Sequence, residues 1–309
     1  MITEFFIILT FITIGMLLKR VKAFPDNTSY LLNQMVIWVA LPAVILLQIP
    51  KIQFTTDTLI SALAPWLIIF VFALLTLIFG KFVKLDTKTL GALLLLVPLG
   101  NTSFIGIPMV STFFGENQIP YAIVYDQFGS FVGLATYGVL IVSIYASGEK
   151  LKIKNAIHKM ITFPPFISLI LAFIISYYLK AIASSYPSFV QKTLTTTATT
   201  LIPMAMIAVG FQFKLKLNNK GYIALSFGLF SKLILAPLLL FLLFKATDVS
   251  HQAAKISIFE SAMPPMITAG AISISSGLDE DLTASLVGGG LLVSFITLPL
   301  VHFAIINWL

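Results

Sequence analysis

The chain of 309 residues is 58% hydrophobic and 10% charged, with a mean hydropathy of +1.01 and a formal net charge of +7. So apolar a composition excludes an ordinary soluble domain, and the lack of cysteine excludes a disulfide framework, a thiol nucleophile and a cysteine metal site. The basic residues stand in short clusters between apolar runs, which reads as membrane topology and not as a nucleic-acid surface.

Crossing roughly 30 Å of hydrocarbon takes about 20 helical residues, whereas barrel strands would show alternating segments of about 10. The apolar runs predict an all-α membrane protein of about ten transmembrane helices. They fall at 3–18, 30–49, 59–82, 89–114, 119–146, 160–180, 190–212, 221–244, 252–276 and 283–306. The first run, Phe5–Leu18, is followed by Lys19, Arg20 and Lys22. That charge order is the reverse of a cleavable signal peptide, so it reads as a retained span.

With the N-terminus outside, the inner loops carry Lys19, Arg20, Lys22, Lys81, Lys84, Lys88, Lys150, Lys152, Lys154, Lys159, Lys214, Lys216 and Lys220. The outer loops carry only Lys51, Lys180, Lys192, Lys245 and Lys255. This bias predicts both termini outside; the acidic inner loop Asp279-Glu280-Asp281 weighs little against it. An odd number of spans per half makes the second half enter the membrane in the opposite sense. The expected organisation is a five-helix repeat over 1–148, a short linker at 149–159 and an inverted five-helix repeat over 160–309. Ala40-Leu41-Pro42-Ala43 and Leu201-Ile202-Pro203-Met204 are similar local patterns in spans two and seven.

Spans four and nine each contain a proline-marked interruption, Leu99–Pro108 and Glu260–Met266. Proline removes an amide donor and clashes with the preceding turn. Freed backbone groups at membrane depth are tolerated only against protein or a water-filled cavity. A matched pair of interrupted spans, one per half, points to the substrate site of a secondary transporter.

Leu99-Gly100-Asn101-Thr102-Ser103-Phe104-Ile105-Gly106-Ile107-Pro108, Tyr125-Asp126-Gln127, Met204–Gly210 and Ala262-Met263-Pro264-Pro265 together resemble the auxin efflux carrier family, which includes plant PIN carriers and bacterial organic-acid permeases. The resemblance covers nearly the whole chain, and its most specific element is the Asn-Thr then Gly-Ile-Pro pattern of span four. It implies scaffold and transport domains built from both repeats, crossing helices four and nine, an elevator movement and a homodimer. The central loop is far shorter than in the plant carriers.

Charge at the bilayer centre costs at least about 2.5–3.5 kcal/mol on insertion scales, so Asp126, Lys232 and Glu260 each need an account. Asp126 reads either as a coupling-ion or proton site beside the substrate or as an interdomain hydrogen bond or salt bridge with no transport role. Lys232 is expected to pair with Asp126 or Glu260, or else to attract a carboxylate. Glu260, one turn before the Pro264-Pro265 break, is expected to face the crossing, cap nearby amides or hold a proton or cation. Asn101 is the foremost substrate-binding candidate, because its amide donates and accepts without a charge to desolvate. Thr102, Ser103, Gly106, Pro108, Gln127, Met263, Pro264 and Pro265 complete the expected site.

The threonine tract 193–200 is expected to bond back to its own helix, and Gly288-Gly289-Gly290 to permit close packing. His158, His251 and His302 are scattered, so no metal site is expected, and no ATP-binding Gly-x-x-x-x-Gly-Lys-Ser/Thr motif occurs. No cofactor and no enzymatic chemistry are expected. These features predict a secondary carrier of small organic anions, such as malate, malonate or auxin-like acids, in the cell membrane, with a coupled proton or sodium ion as partner. The alternatives are a sodium-coupled carrier of the bile-acid symporter type and, more distantly, a channel or a membrane lipid enzyme.

Overall fold

The computed structural model describes residues 2–25, 27–51, 56–145, 161–162, 164–181, 186–212 and 221–309. The linker at 149–159 with Lys150, Lys152, Lys154, His158 and Lys159, and the basic cluster Lys214, Lys216 and Lys220, lie outside these residues. Among those described, the chain is helical without strands, apart from one isolated antiparallel bridge between Gly100 and Pro265.

Among the described residues, six helical stretches are long and apolar enough to cross a membrane: Thr28–Gln48, Thr58–Val83, Glu116–Tyr145, Ser188–Phe211, Tyr222–Ala246 and Glu280–Trp308. Shorter apolar helices run over Thr87–Leu96, Thr102–Phe114 and Pro164–Tyr178. The remaining helical segments are Ile2–Leu18, Gln252–Ser261 and Ile267–Ser275.

The chain divides into two compact units, each drawing on both halves of the sequence. The first unit comprises Met1–Phe54, Ile107–Ile123 and Ile161–Phe213. Within it, helices Ile2–Leu18 and Leu201–Gln212 meet backbone to backbone. A Cβ on Gly15 would stand 2.2 Å from the Ile207 carbonyl oxygen, and one on Gly210 would stand 2.1 Å from the Ile12 carbonyl oxygen. Such contact takes the place of a hydrophobic driving force between helices in lipid, because it multiplies dispersion contacts. The Tyr186 hydroxyl donates to the Leu46 carbonyl at 2.9 Å.

The second unit comprises Thr55–Gly106, Val124–Met160 and Lys214–Leu309. Here the Trp66 indole donates to the Phe128 carbonyl at 3.0 Å, and the ring of Pro65 fills the space where a Cβ on Gly129 would stand. Phe79 and Phe227 stack with centroids 3.8 Å apart. The Tyr137 hydroxyl donates to the Leu94 carbonyl at 2.7 Å. Thr89 joins two helix starts: its hydroxyl lies 2.7 Å from both Asp86 Oδ2 and Asp279 Oδ2, the N-caps of Thr87–Leu96 and Glu280–Trp308.

Among the described residues, five π-helical turns interrupt the α-helical ladder: Val36–Ala40, Thr102–Gly106, Tyr125–Phe131, Leu134–Gly138 and Ser231–Leu235. Pro42, Pro108 and Pro237 each follow such a turn by two residues. The physical reason is the proline ring, which would collide with the carbonyl one turn back; widening that turn relieves the collision.

Candidate functional site

The two interrupted segments lie against one another within the second unit. The Asn101 amide donates to the Pro264 carbonyl at 2.8 Å, and the Met266 amide donates to the Leu99 carbonyl at 3.1 Å. Backbone groups freed by one break are thus satisfied by the other, which meets the requirement for irregular backbone at membrane depth. The first break is displaced from its expected centre. The helix stops at Leu96, residues 97–101 are irregular, and the chain is helical again from Thr102. Pro98 marks the break, while Gly106-Ile107-Pro108 is helical. The second break occupies 262–266, as its paired prolines indicate.

Four helix ends converge on this junction. The C-terminal ends of Thr87–Leu96 and Gln252–Ser261 point to it, and the helices starting at Thr102 and Ile267 begin at it. Amides of a first helical turn lack intrahelical partners and carry partial positive charge; carbonyls of a last turn carry the opposite. The Met266 N-cap offers no side-chain bond to the helix it begins. The junction therefore presents features suited to an anion beside features suited to a cation.

The Asp126 carboxylate is buried at the centre of a hydroxyl and amide shell. Thr102 Oγ1 donates to Oδ1 at 2.5 Å, Ser103 Oγ lies 2.6 Å from both carboxylate oxygens, and Gln127 Nε2 donates to Oδ2 at 2.6 Å. Thr102 and Ser103 thus spend their donors on Asp126. Gln127 Oε1 is left buried with no hydrogen-bond partner among the described residues.

Glu260 is fully buried, and among the described residues neither of its carboxylate oxygens has a hydrogen-bond partner. It caps no amide. Its carboxylate instead lies over Gly106, where a Cβ would stand 2.2 Å from Oε2 and 2.7 Å from Oε1. Lys232 lies over Gly100 in the same manner, with Nζ 3.0 Å from where a Cβ would stand. Among the described residues no hydrogen bond joins Lys232 to Glu260; each lies over a glycine of the same segment, Gly100 and Gly106. Asn101 is buried with its Nδ2 unpartnered.

Asn101, Thr102, Ser103, Gly106, Asp126, Gln127, Lys232, Glu260, Met263, Pro264 and Pro265 all belong to the second unit, and Pro108 falls in the first. Met263 is buried beside Gly100, and the Pro265 ring packs where a Cβ on Gly290 would stand. The glycine triplet therefore serves packing inside a continuous helix. The threonine tract bonds to its own helix through Thr195, Thr199 and Thr200. His302 stacks edge-on against Phe259, 6.4 Å between centroids. Among the described residues no group of His, Asp and Glu is placed to hold a metal.

Two features of the site escape sequence reading. Thr102, Ser103, Asp126, Gln127 and Lys232 all sit in π turns, whose widened pitch is common at functional positions. Gly100 and Gly106 serve as floors for charged groups, a role that no motif marks.

Paired broken helices around buried charge define a membrane transport protein. The comparisons with known proteins agree. The model of the membrane transport protein family matches residues 1–302. The chain therefore belongs to this family, that of the auxin efflux carriers. It is similar to an uncharacterized transporter of Methanocaldococcus jannaschii, at 28% identity over 292 residues covering 90% of each chain. It is also similar to one of Methanothermobacter thermautotrophicus, at 24% identity over 315 residues covering 95% of this chain and 94% of the relative.

Proposed function

We propose that the protein is a secondary carrier of small organic anions in the cell membrane, built from ten spans in two inverted repeats with both termini outside, and binding substrate where spans four and nine cross. The observation that carries this reading is the buried junction of the two breaks. It gathers helix starts, the unpartnered Asn101 Nδ2 and the Lys232 charge in one place. A carboxylate is the ligand for which helix N-termini, an amide donor and a lysine are jointly suited.

Asp126, Gln127 Oε1 and Glu260 supply acceptors at the same junction for a coupled proton or sodium ion. Exporting one net negative charge from a cell that is negative inside gains about 2.3 kcal/mol per 100 mV; import requires a coupled cation or exchange. In the proposed cycle the site-bearing second unit is the transport domain of an elevator. The first unit is the scaffold and carries the homodimer contact.

Charge movement in proteoliposomes on a solid-supported membrane tests the reading, with malate, malonate and indole-3-acetate applied with and without sodium or a pH gradient. A saturable current for one acid supports it and identifies the ion. Absence of both current and radiolabel counterflow for every acid removes it.

A further inference from the structure

Away from the junction, the second unit carries an apolar groove of about 230 Å³ between the helices Ala236–Ala246 and Glu280–Trp308. Buried Ile258 and Ile305 are part of its floor, and exposed Leu238, Leu300 and Trp308 part of its rim. Trp308 also lines a second, polar cleft of about 260 Å³, together with Lys245, Asp248 and Ser250. From Thr297 to Trp308 the groove follows its wall for about 16 Å at 1.5 Å per residue, close to the roughly 15 Å of one leaflet of hydrocarbon.

The polar end is built on the groove itself. The Lys245 ammonium stands 5.7 Å from the ring centroid of Phe241, which lines the groove. The helix then ends in a reverse turn in which the Val249 amide donates to the Phe244 carbonyl at 2.8 Å. Asp248 takes the left-handed position of that turn at φ 56°. Glycine is the usual residue there, so the carboxylate is held in the cleft at some conformational cost. Lys245 and Asp248 set a cationic and an anionic side chain at the mouth of a leaflet-deep apolar groove, which matches a zwitterionic headgroup.

We propose that this groove and cleft form a specific site for a phospholipid with a primary amine, of the phosphatidylethanolamine type. One acyl chain lies along Leu238, Phe241 and Leu300, the phosphate lies at Lys245 and the ammonium at Asp248. An anionic lipid such as phosphatidylglycerol has no cation to give Asp248 and is disfavoured. The site is separate from the substrate junction and independent of the transport reading.

Native mass spectrometry of the full chain, released from nanodiscs of equimolar phosphatidylethanolamine and phosphatidylglycerol, tests the proposal. The expected result is one retained phosphatidylethanolamine per chain. Asp248→Asn should reduce its preference over phosphatidylglycerol by about fivefold, and Ala304→Trp, which fills the groove, should abolish retention. Thermal unfolding in nanodiscs of each lipid alone reads the same preference without any variant. Equal retention of both lipids overturns the headgroup assignment. Unchanged retention in Ala304→Trp overturns the groove, and loss of a dimer in that variant with no change in lipid shows that a second copy of the chain occupies it.

Discussion

The Glu260 carboxylate occupies the place where a side chain on residue 106 would begin, so Gly106 and Glu260 are sterically one unit. Gly106→Ala should displace the carboxylate and abolish transport, at a cost to stability of about 1–3 kcal/mol typical of overpacking. Gly106→Ala combined with Glu260→Ala should recover thermal stability but not transport. Unfolding temperature and proteoliposome flux, measured on the single and double variants, check both halves.

Asn101 holds the two breaks together through its main chain, while its side-chain Nδ2 has no hydrogen-bond partner among the described residues. Asn101→Ala therefore leaves the fold intact. If the amide meets a charged substrate, affinity should fall about 10- to 100-fold, the equivalent of one hydrogen bond to a charged group. Isothermal titration with the transported acid beside a melting curve separates the two effects.

Asp126 is held by Thr102, Ser103 and Gln127. Asp126→Asn keeps the shape but removes the charge, and should flatten the sodium or pH dependence of flux. Thr102→Val should weaken that dependence less, because Ser103 and Gln127 remain. Dependence curves for both variants provide the check; an unchanged curve in Asp126→Asn leaves this residue a structural role.

Gly15 and Gly210 allow the helix pair of the first unit to touch along the backbone. Gly15→Ala or Gly210→Ala should destabilise the protein by about 1–3 kcal/mol without altering substrate affinity in the surviving folded fraction. Unfolding followed by intrinsic fluorescence, together with a binding titration, reads this.

Asp86 caps Thr87–Leu96 by accepting from the Lys88 and Thr89 amides at 3.0 Å. Partial burial raises its pKa, but the hydrogen bonds from Thr89 and Lys88 together outweigh burial, and the carboxyl rests below its ordinary value. A carboxyl depressed in the folded state stabilises it above the unfolded pKa, and that stability is lost as pH falls through the folded value. Asp86→Asn, which retains an N-cap acceptor, should therefore narrow the stability difference between neutral and acidic pH. Asp86→Ala should cost about 1 kcal/mol at neutral pH. Melting curves across that pH range test both.

Much of the architecture was legible because hydrophobic length is set by the bilayer. Runs such as Tyr222–Ala246 carry that signal in bulk composition. The second break is marked by Pro264-Pro265, since two adjacent prolines inside an apolar run cannot sit in a helix interior. The first was read several residues late. Pro108 falls early in a helix that a π turn makes room for, and Pro98 is the proline that ends the preceding one. Lys232 and Glu260 stand out in the sequence as costly charges, but the glycine beneath each of them does not. Which glycine lies beneath which charge depends on helix rotation, and a π turn changes that rotation without any composition of its own.

Each π turn is in effect one residue too many for an α-helix, and everything after it is rotated by about 100° relative to an uninterrupted ladder. With Asp126, Lys232 and the Thr102-Ser103 pair all in such turns, the phase of the site is counted in residues as much as in side chains. Variation in this protein should accordingly be asymmetric. Conservative exchanges within Ser231–Leu235 or Tyr125–Phe131 leave the phase untouched, whereas deleting a single residue from either would turn the rest of the helix by more than a quarter revolution and carry apolar side chains into the places where polar ones now meet.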